Sequence, residues 1–172
     1  CVGPISVKDL KPLEVDLQNF KDALSVSEAT DAFMNAASPG VIAQFQPNQH
    51  YPNHSSYLYA LADAMKVEYE GIAEAGLVIQ IDSPDLALGR HVLFKDQSDE
   101  EFVAMAELHI EALNHALQNI PAEQLRLHVC WGNYQGPHHC DIEMKKILPA
   151  VLKAKPMALS FEGANPRHSH EW

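Results

Sequence analysis

Apolar residues along this chain fall into two alternating rhythms, short continuous runs and longer stripes spaced three and four apart. The first run, residues 1–7 (CVGPISV), reads as a strand. Residues 27–37 then place Ser27 as a helix cap, with Ala29, Ala32, Phe33 and Ala36 at helical spacing. Ser38-Pro39-Gly40 reads as the stop of that helix, and residues 41–45 (VIAQF) as a second strand. Residues 55–74 predict a long helix with an inward stripe of Leu58, Leu61, Ala62, Met65, Tyr69 and Ile72. Gly76 stands at its carboxyl cap, ahead of a third strand at 77–81 (LVIQI). A helix over 99–118 turns Phe102, Met105, Ala106, Ile110 and Leu113 inward, and Pro121 ends it before a fourth strand at 125–131 (LRLHVCW). Residues 142–154 predict a fourth helix and 157–161 (MALSF) a fifth strand.

Each of these strands is a near-continuous apolar run, the mark of parallel strands covered by helices. Strands alternating with helices build βαβ units, hence an α/β fold. No strand-to-helix turn carries the glycine-rich signature of a dinucleotide or P-loop sheet. The strand-to-helix connections are long and polar and the reverse ones short, as in a TIM barrel, whose active site is built on such loops. The expected architecture is an incomplete TIM (β/α)8 barrel of about five βα units. Residues 1–172 are expected to form one partial-barrel domain with no internal boundary.

Composition narrows the class. Of the 172 residues, 47% are apolar and 20% charged, the balance of an ordinary globular protein. Twelve Lys and Arg against 23 Asp and Glu leave a formal charge of −11. That speaks against nucleic acid and anionic membrane surfaces as partners, because both are bound through clustered cations. No stretch of about eighteen apolar residues predicts a membrane span, and no signal peptide is visible at the start. Three cysteines, Cys1, Cys130 and Cys140, make no disulfide framework and point to a reducing, cytoplasmic compartment. The chain opens on Cys1 and stops at Trp172, so it is expected to be a piece of something longer.

The candidate chemistry falls at the predicted strand ends. In a barrel these ends converge, which would bring Asp82, His128, Cys130 and Glu162 together. His128-x-Cys130 on a strand puts both side chains on one face. Imidazole nitrogen and thiolate sulfur are ligands that zinc favours, and a carboxylate oxygen completes a plausible set. The competing reading is a packed histidine beside a buried free thiol. Glu162 favours the metal, since a buried glutamate needs a cation or a proton. Asp82 reads either as a cap or backbone-satisfied acid, or as a carboxylate aimed at a cationic substrate group such as an α-amine. Asp85 reads as surface or capping.

Four of the ten histidines, His138, His139, His168 and His170, lie in the closing stretch. His138 and His139 read as a solvated loop or as hydrogen-bonded support rather than as ligands, and His168-x-His170 as a chain-end pair. His50 and His54 are expected to border the substrate. His109 and His115 receive no role, and Cys140 reads as a bystander at the start of the fourth helix. No Ser-His-Asp elbow, P-loop or paired-carboxylate glycosidase pattern is present.

Three segments together resemble a known family. They are His128-Val-Cys130-Trp-Gly-Asn-Tyr-Gln-Gly-Pro-His138-His, Gln80-Ile-Asp82-Ser-Pro84 and Ser160-Phe-Glu162, joined by the tail Asn165-Pro-Arg-His-Ser-His-Glu-Trp172. They resemble the cobalamin-independent methionine synthases, and more narrowly their short single-barrel "methionine synthase II" branch, which includes epoxyalkane coenzyme M transferases. The resemblance runs through essentially the whole chain. It implies a zinc-dependent thiol alkyltransferase on a TIM barrel, with His128, Cys130 and Glu162 as zinc ligands. Asp82 is then the catalytic-site carboxylate that holds the amino group of homocysteine. Gln80, Trp131 and Asn133 are expected beside it at the substrate. The family's remaining ligand, a second cysteine near the end of the last strand, is expected to lie beyond Trp172. The implied partners are a small-molecule thiol and a methyl donor such as methyltetrahydrofolate, in methionine biosynthesis. Two alternatives stay open: another electrophile such as an epoxide, or an inactive barrel fragment that self-associates through open sheet edges.

Overall fold

The computed structural model describes residues 1–133 and 135–171, so Tyr134 and Trp172 of the motifs above lie outside the described residues. Four strands, β1 (Phe33–Ala37), β2 (Val78–Asp82), β3 (Leu125–Val129) and β4 (Ala158–Phe161), form one sheet in chain order with every pair parallel. Six helices accompany them: α1 (Lys11–Ser25), α2 (Pro39–Phe45), α3 (His54–Glu74), α4 (Leu88–Val92), α5 (Asp99–Ala116) and α6 (Met144–Val151). The α/β class and the parallel sheet are as the sequence predicts.

The sheet is covered on one face. Ile79 and Ile81 of β2 and Leu125, Leu127 and Val129 of β3 point into the core, where they meet Leu58, Tyr69 and Ile72 of α3, Phe102, Ile110 and Leu113 of α5, and Ile147 and Val151 of α6. Each such side chain taken from water contributes about 1.5–3 kcal/mol. The intervening residues, Gln80, Asp82, Arg126 and His128, lie on the opposite face and are only partly covered. The strands therefore alternate, VIQID and LRLHV, where the sequence reading took them for continuous apolar runs.

Three further expectations are corrected. Residues 1–7 form no strand. Pro4 has no N–H to give a ladder, and the segment bonds to a loop instead, with Ile5 N donating to the Tyr51 hydroxyl and the Cys1 ammonium to Pro47 O. Residues 27–37 form no helix, because 33–37 (FMNAA) pairs in register with β2, and that tertiary pairing overrides its alanine-rich helical propensity. Residues 41–45 are not a strand but belong to α2. Ser38-Pro39 is a helix start rather than a stop: the Ser38 hydroxyl accepts from Val41 N at 3.0 Å, and Pro39 occupies the first turn, where its missing N–H costs nothing. Among the described residues the count is thus four strands and not five.

The two long helices stand close to their predicted bounds. Asn53 caps α3 through Ser56 N. Ser98 and Glu101 form a reciprocal capping box at α5, Glu101 N donating to Ser98 Oγ and Ser98 N to the Glu101 carboxylate. A Ser98→Ala chain is expected to lose about 1 kcal/mol of stability, measured as a lower urea midpoint at unchanged slope. Among the described residues no helix is long and apolar enough to cross a membrane.

Candidate active site

The parallel register sets the site. Asp82, His128 and Ser160 are direct cross-strand neighbours on β2, β3 and β4, in one row near the carboxyl edge of the open sheet face. His128 Nε2 stands 4.0 Å from Asp82 Oδ1, and its Nδ1 is 3.4 Å from Ser160 Oγ. One row deeper, Gln80 donates its amide to Asn35 Oδ1 at 3.0 Å, and the Arg126 guanidinium lies 4.0 Å from the centre of the Phe33 ring. The open face is thus a polar floor, with Asp82 half-exposed at its rim.

Cys130 follows β3 immediately and is partly buried. Burial pushes its thiol up, and the negative charges of Asp82, Glu162 and Asp85 push it further, while the Gly132 backbone N–H pulls it down. Gly132 supplies that N–H with φ +75°, a left-handed conformation that favours glycine, and a side chain there would also strike Leu88. Glu162 follows β4. Its Oε1 accepts from the Asn165 amide, and its Oε2 is buried without a hydrogen-bond partner. Cys130 thus stands within range of three carboxylate charges, and Glu162 Oε2 is a buried oxygen whose hydrogen-bonding capacity is unmet. Nitrogen, sulfur and oxygen donors of these types suit zinc. Among the described residues, however, no group of three or more His, Cys, Asp or Glu converges closely enough to enclose an ion.

Of the other expected substrate residues, Asn133 is exposed, whereas the Trp131 ring is fully buried. Trp131 donates from Nε1 to Ile142 O at 2.7 Å and stacks on the His168 ring, centroids 3.8 Å apart and planes 13° from parallel. His168 is correspondingly no loose chain-end residue. Its Nδ1 meets Glu171 Oε1 at 2.7 Å and its Nε2 meets Asp141 Oδ2 at 3.1 Å. The His138 side chain is buried and shares that Asp141 oxygen at 2.8 Å, which fits the hydrogen-bonded alternative rather than the solvated loop. Cys140 lies in the turn before α6 rather than at its start.

Asp85 and His109 are the residues sequence reasoning missed. Asp85 is 3% exposed, not a surface acid. Its Oδ1 accepts from Ser38 Oγ at 2.7 Å, and its Oδ2 meets His109 Nδ1 at 2.8 Å. His54 faces His109, Nε2 to Nε2 at 2.9 Å. A signal was available: His109 follows Phe102 by seven residues and precedes Ile110 and Leu113, on the buried stripe of α5.

A parallel sheet covered on one side, with His, Cys and carboxylate side chains at successive strand ends, defines an α/β protein whose candidate site lies at the carboxyl edge of its sheet. No family model matches the chain. Similarity to individual proteins is clear: a methionine synthase of Saccharolobus solfataricus is 30% identical over 154 residues, covering 87% of this chain and 42% of that protein. Methionine synthases of Saccharolobus islandicus (30% over 145 residues, 81% of this chain and 40% of that protein) and Sulfurisphaera tokodaii (30% over 129 residues, 74% and 33%) match similarly. Over that segment the chain belongs to the methionine synthase family. It spans only about two fifths of the length of the first of these relatives.

Proposed function

We propose that this chain is part of a zinc-dependent thiol methyltransferase of the methionine synthase kind, its four strands forming one arc of a (β/α)8 barrel. The observation that carries the reading is the gathering of Asp82, His128, Cys130 and Glu162 at neighbouring strand ends, where Cys130 feels the charge of both carboxylates and Glu162 Oε2 has no partner. His128, Cys130 and Glu162 would hold zinc, which when bound supplies a cation that keeps a thiol in its thiolate form.

The chain's own residues do the rest. Ser160 steadies the His128 ring from the neighbouring strand. Asn165 fixes Glu162 through one oxygen and leaves the other buried without a hydrogen-bond partner. Asp82, half-exposed at the rim, is placed to accept hydrogen bonds from the ammonium of an amino-acid thiol such as homocysteine, which orients the sulfur. Gln80 and Asn133 would line the same substrate, with Trp131 supporting the loop from below. A methyl donor such as methyltetrahydrofolate would approach the thiol from the open side of the sheet.

Elemental analysis of the purified chain tests the metal assignment directly. Near-stoichiometric zinc is expected in the wild type and a loss of at least about tenfold in affinity in Cys130→Ser. Equal zinc in the two chains would remove Cys130 from the ligand set.

A further inference from the structure

Two backbone hydrogen bonds hold the His128–Cys130 segment against the chain that follows β2. Ser83 N donates to His128 O at 2.9 Å, and Leu88 N donates to Cys130 O at 3.3 Å. Between Ser83 and Leu88 lies Asp85, in the single turn Pro84–Leu86. Asp85 is fixed from two sides, by Ser38 Oγ and by His109 Nδ1, and Ser38 N in turn holds Asp82 O at 3.0 Å. His109 continues to His54 at the first turn of α3. The result is a line of four side chains, His54–His109–Asp85–Ser38, running from a half-buried residue to the turn that carries the site's backbone contacts.

We propose that His54, His109 and Asp85 are an acid-sensitive anchor that sets the position of the His128–Cys130 segment. The chemistry lies in the nitrogen-to-nitrogen contact. His109 gives its Nδ1 proton to Asp85, and its Nε2 then accepts from His54 Nε2. A proton gained by His54 places a charged ring in a half-buried site 2.9 Å from the His109 Nε2, an environment that disfavours the charge and so weakens the anchor. Burial first, and the charge of His109 second, hold His54 below the ordinary histidine value of 6.5. The unfolded chain therefore takes up this proton before the folded one does. The anchor is intact at neutral pH, and its stabilisation declines as pH falls below about 6.5 toward the lower value in the fold. Besides His109 of α5 and Asp85 of the turn after β2, the titratable groups facing this line are Tyr69 of α3 and the Cys130 thiol, both of which feel the Asp85 charge, while α2 (PGVIAQF) carries none.

Trp131, next to Cys130 and fully buried, is a reporter at the far end. With Trp172, the other tryptophan, replaced by Phe, its emission can be followed from pH 7.5 downward. The emission is expected to shift in a transition on the acid side of about pH 6.5. His54→Gln should abolish that transition, since a Gln amide can donate to His109 but cannot gain a proton. Asp85→Asn, if it folds, should show the acid-form emission already at neutral pH. Persistence of the transition in His54→Gln would overturn the proposal and move its origin to His168, which stacks on Trp131 between Asp141 and Glu171. A flat wild-type profile would overturn it as well. Neither reading uses a metal, so the anchor stands or falls independently of the proposed zinc chemistry.

Discussion

Replacing Gly40 with alanine is expected to cost about 3–5 kcal/mol, although alanine is the better helix former and would ordinarily add up to about 1 kcal/mol at a helical position. Gly40 lies in the first turn of α2, packed against the Asp85–His109 pair. A methyl group there would fall on Asp85 Oδ2 and 2.5 Å from His109 Nδ1. Neither group can step aside freely, because the two side chains are 2% and 4% exposed and bonded to each other. Overpacking alone costs about 1–3 kcal/mol, and separating a buried, hydrogen-bonded pair adds the desolvation of whichever partner is left alone. Urea denaturation followed by far-UV circular dichroism measures the loss. A neutral or stabilised Gly40→Ala chain would mean that Asp85 and His109 are not held in this arrangement.

Trp131→Ala is the second large effect, expected at about 3–5 kcal/mol. The ring has no exposure, fills the space between the end of β3 and the closing tail, and satisfies Ile142 O. Truncation leaves a cavity, an unpaired carbonyl and a His168 ring without its stacking partner. Trp131→Phe should cost less, about 1–2 kcal/mol, because volume and stacking are largely kept and one hydrogen bond is lost. The tail reports separately from global stability. Arg167 is exposed next to buried His168, so trypsin should cut there faster in Trp131→Ala at temperatures where the wild type remains folded. Unchanged cleavage would show that the stack does not hold the tail.

Legibility in the sequence followed the strength of each local signal. The helix at 54–74 and the helix at 99–116 were readable because each carries an apolar stripe over four or more turns and a polar cap at its start. The first third of the chain was misread. The run VIAQF has the length of a strand, and its true state is fixed by Ser38, whose hydroxyl caps α2 while also bonding Asp85 forty-seven residues away. FMNAA reads as helix by composition and becomes a strand only by pairing with β2. The helix at 11–25 was not recognised, although Leu13, Leu17, Phe20 and Leu24 recur at helical spacing and pack, partly buried, against the core.

The kinship to methionine synthases could be read from the chain alone, and Asp82, His128, Cys130 and Glu162 were proposed as its site on the same segments. Residue type and position after a strand suffice to suggest such chemistry. Which face of the sheet is open, and that Asp82, His128 and Ser160 share one row, depended on strand register, which a one-residue slip would invert. The roles of Asp85, His109 and His168 were decided by tertiary structure alone. A polar side chain becomes a buried anchor only when partners far along the chain arrive to satisfy it, and until the chain folds nothing distinguishes it from an ordinary surface residue.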